Sequence, residues 1–214
     1  MPTAHIRPGE NGMKYPGLLL LSLLFPLAAV AENAPLIPKQ QHLAALDYST
    51  AGKQSGCGLR VTGEAAGDLW INILLSVFIK ENAPPVGMFK LVVRKMNMQN
   101  GEPVVRDGKI VYEELGRIQR AWLRTGSGVE LQPYANGMAQ HGDGYMTSLA
   151  FSNAMDLLAS IPQGKFRTGF SREENGPEQV IEFDRRFAPE EANRLNACMK
   201  NLQDATGNRP GESL

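Results

Sequence analysis

Cysteine, histidine and net charge are all scarce in this sequence. Its 214 residues include two cysteines, Cys57 and Cys198, and three histidines, and 22 basic residues balance 22 acidic ones. Balanced charge gives no electrostatic reason to expect nucleic acid as a partner. A nucleophile elbow of the G-x-S-x-G type is missing, because Thr125-Gly126-Ser127-Gly128-Val129 lacks the outer glycine. Beyond the N-terminal region only His42 and His141 remain to act as a base for a nucleophile. Paired carboxylates occur at Glu113-Glu114, Glu173-Glu174 and Glu190-Glu191. Adjacent acids on a strand point to opposite faces, so none of them forms an acid/base pair. No internal period indicates repeats. Past the first 31 residues the longest apolar stretch, Leu69–Ile79, is too short to span a bilayer and is broken by Asn72 and Ser76.

The N-terminus supplies the strongest clue to location. Lys14 precedes an apolar run from Leu18 to Val30, and Ala29-Val30-Ala31 places small residues just before Glu32. A positive residue, a short apolar core and an A-x-A site read as a secretory signal peptide cleaved after Ala31. Residues 1–12 carry no targeting logic, so Met13 is the expected start of the exported precursor. No cysteine follows the cleavage site, which argues against a lipid anchor. From Glu32 onward 20 basic residues face 21 acidic ones, a net charge of −1. The protein is therefore expected in the periplasm, and not as an integral membrane protein once the leader is removed.

Export changes the meaning of the cysteines. Two cysteines in an exported chain point to a Cys57–Cys198 disulfide, the alternative being two separately buried thiols. Catalysis by either would need a reduced thiol, which export disfavours. Such a bond would join the first strand of a domain to its last helix. That helix is expected from Phe187 to Leu202. Pro189 suits a first turn, Glu190 and Glu191 sit at the positive end of the dipole, and Ala192, Leu195, Met199 and Leu202 recur at helical spacing.

Between the cysteines the pattern is mostly period two. Cys57, Leu59 and Val61 alternate with Gly58 and Arg60, and Leu69, Ile71, Ile73, Leu75, Val77 and Ile79 form one apolar face opposite Trp70, Asn72, Leu74, Ser76 and Phe78. Asn82–Gly87 reads as a break and Met88–Met96 as another strand. A hairpin region follows to Gly108, then short strands at Lys109–Tyr112, Ile118–Thr125, Val129–Gln132 and Tyr145–Phe151. A helix capped by Ser152 carries Met155, Leu158 and Ala159, and Lys165–Ser171 with Gln179–Asp184 make a hairpin. The expected fold is mainly β: an antiparallel β-sandwich-like domain over 56–203, with one or two short helices and a C-terminal helix packed on it. Residues 32–55 read as a linker or a short helix around Gln40–Leu46, and 204–214 as a flexible tail.

Three sets of residues are candidates for chemistry. Ile118, Arg120, Trp122 and Arg124 share a strand face, which sets two guanidinium groups beside an indole. Such a group suits stacking and carboxylate capture at a partner surface, or is a solvated face in which arginine stems cover the ring. Met96 and Met98 place two thioethers at strand spacing, a soft set of the kind copper takes, and His141 with Asp143 lies in the glycine-rich Asn136–Gly144 loop. A Met pair at this spacing also serves as core filling. No cofactor is implied.

The segments Tyr145–Phe151, Pro162–Phe170 and Val180–Asp184, together with the closing helix, resemble the C-terminal half of the invasion-associated locus B family. These are small exported bacterial proteins of β-sandwich fold without a known enzymatic site, and the resemblance covers the last third of the chain. It implies a periplasmic accessory or binding protein rather than a catalyst. The function expected is therefore a non-enzymatic protein that binds another envelope protein or an envelope component. An immunity or inhibitor protein that neutralises a toxin or hydrolase is the alternative, and an exported metal-binding protein a third.

Overall fold

A computed structural model describes residues 34–80, 83–131 and 144–206, all within Asn33–Leu214, the second of the chain's two compact units. The expected leader and cleavage site, His141 with its loop, and residues 207–214 lie outside the described residues.

Four long strands form an antiparallel meander: β1 (Gln40–Thr50), β2 (Lys53–Ala65), β3 (Leu69–Lys80) and β4 (Ala83–Met96). Two small hairpins follow. β5 (Met98–Gln99) pairs with β6 (Glu102–Pro103) and β7 (Val105–Arg106) with β8 (Lys109–Ile110). Their loops, Asn100-Gly101 and Asp107-Gly108, hold positive φ at both residues, as two-residue hairpin turns matched to strand twist require. β9 (Tyr112–Glu113) returns to the edge of β4. β10 (Arg120–Thr125) and β11 (Glu130–Leu131) begin a second sheet, and β12 (Gly144–Ala150) goes back to β4. After α1 (Phe151–Ser160) and a single 3-10 turn at Ile161–Gln163, β13 (Phe166–Ser171) and β14 (Gln179–Phe183) complete the second sheet, and α2 (Pro189–Thr206) closes the chain. The larger sheet has the order β1-β2-β3-β4-β12 with β9 beside β4, and the smaller one β11-β10-β13-β14. The fold is thus mainly antiparallel β with two helices, as the alternation predicts.

Alternation also decides where the core lies. Cys57, Leu59 and Val61 of β2, Ile71, Ile73, Leu75 and Val77 of β3, and Phe89, Leu91 and Val93 of β4 are all completely buried. They share one cluster with Ala121 and Leu123 of β10, Phe166 and Phe170 of β13, and Ile181 and Phe183 of β14. Leu157 and Leu158 of α1 and Leu195, Cys198 and Leu202 of α2 belong to it as well. The second sheet and both helices therefore cover one face of the meander. Each large side chain removed from water there is worth about 1.5–3 kcal/mol, which outweighs any local propensity.

Several local expectations are corrected. Residues 40–50, expected as part of a linker or as a short helix, are a strand. Its inward positions are Gln41, Leu43 and Ala45, too polar and small to stand out by hydrophobicity. Gln41 is buried, donating to the Pro38 carbonyl (3.0 Å) and to Asp184 (3.0 Å). The outer edge of β1 is closed by side chains in place of a strand. Glu191 accepts from the Ala45 N–H, Arg194 donates to the Ala45 carbonyl, and Arg185 donates to the Gln41 carbonyl at 2.8 Å. Charged groups on a free edge also discourage pairing with another chain. Pro84 and Pro85 do not break β4. They fall where the register with β3 shifts between Phe78 and Lys80, and an irregular position tolerates the missing N–H. Ile118 precedes β10 and is buried, so it does not share the Arg120 face. Ser152 lies inside α1 and caps nothing: the N-cap is Ala150, without a side-chain bond. Asp204–Thr206, expected in the tail, extend α2.

Cys57 and Cys198 are joined, with Cα atoms 5.9 Å apart and a sequence separation of 141. Loop-closure entropy over that span corresponds to roughly 5 kcal/mol before any native strain is subtracted. Replacing either cysteine by serine is expected to lower unfolding free energy by about 2–5 kcal/mol in denaturant titration. Thiol labelling of the denatured, unreduced protein should find no free thiol. Two labelled thiols, or an unchanged midpoint in the variants, would contradict the bond's structural role.

Candidate functional site

The second sheet presents the predicted Arg120, Trp122 and Arg124 on its outer face. β10 alternates strictly: Ala121, Leu123 and Thr125 are buried inward, while Arg120 and Trp122 are half-buried and Arg124 is exposed on the other side. Trp122 is therefore not a core residue. It lies opposite Gly169 of β13, and a Cβ at that position would come within 2.2 Å of the indole. The ring thus lies flat against bare backbone, which only glycine allows. The Thr168 hydroxyl donates to the Trp122 carbonyl at 2.7 Å and pins the strand beneath the ring.

Glutamates frame the indole. Trp122 Nε1 donates to Glu178 at 3.0 Å, and Arg120 pairs with the same carboxylate at 3.2 Å. Arg124 bonds Glu130 through Nε (3.2 Å) and Nη2 (2.9 Å), and its guanidinium carbon stands 5.8 Å from the indole centre. Further along the face Glu182 accepts from Arg167 (2.6 Å) and from Lys165 (3.4 Å). The carboxylates beside Arg120 and Arg124 are thus the chain's own. Exposed pairs of this kind are worth about 0–1 kcal/mol, so their effect is to hold the ring and its neighbours in one geometry.

The sequence reading missed Gly169, Glu178, Glu130 and Glu182. Glu182 and Gly169 were legible in principle as outward positions of the C-terminal hairpin. Glu178 and Glu130 depend on which strands pair, which no local pattern states. Met96 is buried beside Tyr112 of β9, whereas Met98 is half-buried in the next strand past Asn97. Among the described residues no three His, Cys, Asp or Glu side chains gather as a metal set, and no helix is long and apolar enough to cross a membrane.

Comparison with family models, curated proteins and solved structures finds no match to this chain.

The Arg167 guanidinium, hydrogen-bonded to Glu182, holds that carboxyl below its ordinary range, with the Lys165 ammonium adding to the effect against the cost of burial. A lowered folded-state pKa contributes stability above the unfolded pKa of glutamate, and this is lost as pH falls through the folded value. Stability should therefore decline below the ordinary glutamate range, and Glu182→Gln should flatten that decline while costing about 1 kcal/mol at neutral pH. Denaturant midpoints measured from pH 7 downward check this; parallel curves for the two proteins would refute it.

Proposed function

We propose that this protein is a non-enzymatic periplasmic accessory protein that binds another envelope protein or envelope component through the Trp122 face. The observation that carries this reading is the half-exposed indole, laid on Gly169 and tethered to Glu178 on a rigid strand. A large aromatic group already fixed in place loses little entropy on contact, and tryptophan and arginine are the usual anchors of protein interfaces. The Arg–Glu pairs around it form a polar rim that can exchange partners with an incoming chain. The Cys57–Cys198 bond supports an oxidising compartment, where disulfides persist. The N-terminal leader pattern and the resemblance of the C-terminal third to invasion-associated locus B proteins support the same compartment and role.

The test is quantitative capture from envelope extract with the wild-type protein and Trp122→Ala side by side. The expectation is that Trp122→Ala loses about 2 kcal/mol or more of binding free energy while its unfolding free energy changes by about 1 kcal/mol or less. Recovery of a toxin or hydrolase that the protein inactivates would make the partner an enzyme and the role inhibition. Equal capture by both proteins would end the assignment of this face.

A further inference from the structure

A second outward surface differs in character. On the outer face of the larger sheet the register places Leu74 beside Lys90, and Lys90 beside Met146. One row further along lies Met88, and in the next Phe78 stands opposite Val86. All but the lysine are apolar, and all are half-buried although they point away from the core. Phe78, Val86, Met88 and Met146, with Lys80, line a trough of about 840 Å³. That volume is within the range of small-molecule sites, about 300–1,000 Å³. Tyr48 backs Phe78 from the β1 side. The ring packs on Phe78 with centroids 4.9 Å apart, and the hydroxyl lies 3.1 Å from Ser76 Oγ.

The cations on this face are what identify the ligand. On the smaller sheet Arg120, Arg124, Lys165 and Arg167 each sit against a glutamate. On the larger sheet Lys80, Lys90 and Arg60 have no carboxylate partner among the described residues. Lys80 lines the trough itself, while Lys90 and Arg60 lie in the row at Leu74 and keep the potential of the face positive. Along β12 the lining runs from Met146 to Ala150, four residues of extended strand, about 13 Å at 3.3 Å per residue. A largely apolar trough of that length with the Lys80 ammonium in its lining complements a molecule with a hydrocarbon chain and one anionic head.

We propose that this trough binds a long-chain fatty carboxylate, its acyl chain over Phe78, Val86, Met88 and Met146 and its head group on Lys80. Phe78 and the flexible thioethers of Met88 and Met146 supply an adaptable apolar lining. Removal of a charge-assisted bond predicts weaker binding by about tenfold when Lys80 loses its charge. The site is independent of the Trp122 face, so either can fail alone.

The experiment is calorimetric titration of the purified full chain with laurate below its aggregation concentration, beside uncharged dodecyl maltoside and phosphatidylglycerol vesicles. The expected result is saturable laurate binding, about tenfold weaker in Lys80→Gln, abolished in Met146→Glu and unchanged in Trp122→Ala, with dodecyl maltoside binding more weakly than laurate. Circular dichroism establishes that Met146→Glu is folded, and Lys80→Gln, at an exposed side chain, reads the head-group contact without disturbing the core. Absence of saturable laurate binding, equal affinity in Lys80→Gln, or binding to the vesicles without binding of monomeric laurate would overturn the proposal.

Discussion

Everything in this molecule depends on covering one face of a four-stranded meander. Strands β2, β3 and β4 present an unbroken inner face of Leu, Ile, Val and Phe, and none of the three can be stable with that face in water. A second sheet and two helices cover it, and all contribute to one core. Cys57 is on that face, and its bond to Cys198 attaches α2 where β1 and β2 would otherwise be open. The attachment has a polar counterpart in Glu191 and Arg194, which satisfy the outward backbone groups of Ala45. The last helix thus does for β1 what a further strand would do, and it is fixed there covalently.

With the inner faces committed to the core, the outer faces remain open to contact, and the two sheets treat theirs differently. The smaller sheet neutralises its own cations with glutamates and leaves one braced indole among them. The larger sheet keeps apolar side chains half-exposed, and Lys80 and Lys90 beside them meet no carboxylate among the described residues. The first arrangement suits a polar, shape-specific contact; the second suits desolvation of a chain that carries a negative end. One scaffold can therefore present two chemically distinct surfaces.

How much of this was legible in the sequence follows from the physics of each element. β3 was plain because six apolar residues at period two leave no other reading, and α2 because Pro189, two glutamates and a four-residue apolar stripe agree. The disulfide followed from the export expected of the leader pattern and a count of two cysteines. β1 was not legible, since Gln41 and Ala45 face inward and its edge is held by side chains of α2 that lie 146 and 149 positions away. The Pro84-Pro85 pair misled because a bulge, not a strand end, absorbs it. At the candidate site the outward triplet of β10 was visible in the alternation, but Gly169 and Glu178 join it only through the pairing of β10 with β13. The trough was least visible: its residues are mixed in type along each strand and line up only once the register across the sheet is fixed.

The central claim is that Trp122 is a fixed, outward-facing anchor held by the absence of a side chain at position 169. Gly169→Ala tests it directly, because the added methyl would occupy the space of the indole. In a Trp70→Phe background Trp122 is the only indole, so its emission and its quenching by acrylamide report its position alone. Gly169→Ala is expected to give a red-shifted, more readily quenched indole together with loss of partner capture and a retained overall fold. Unchanged emission and quenching in Gly169→Ala would show that the ring does not rest on Gly169, and would contradict the claim.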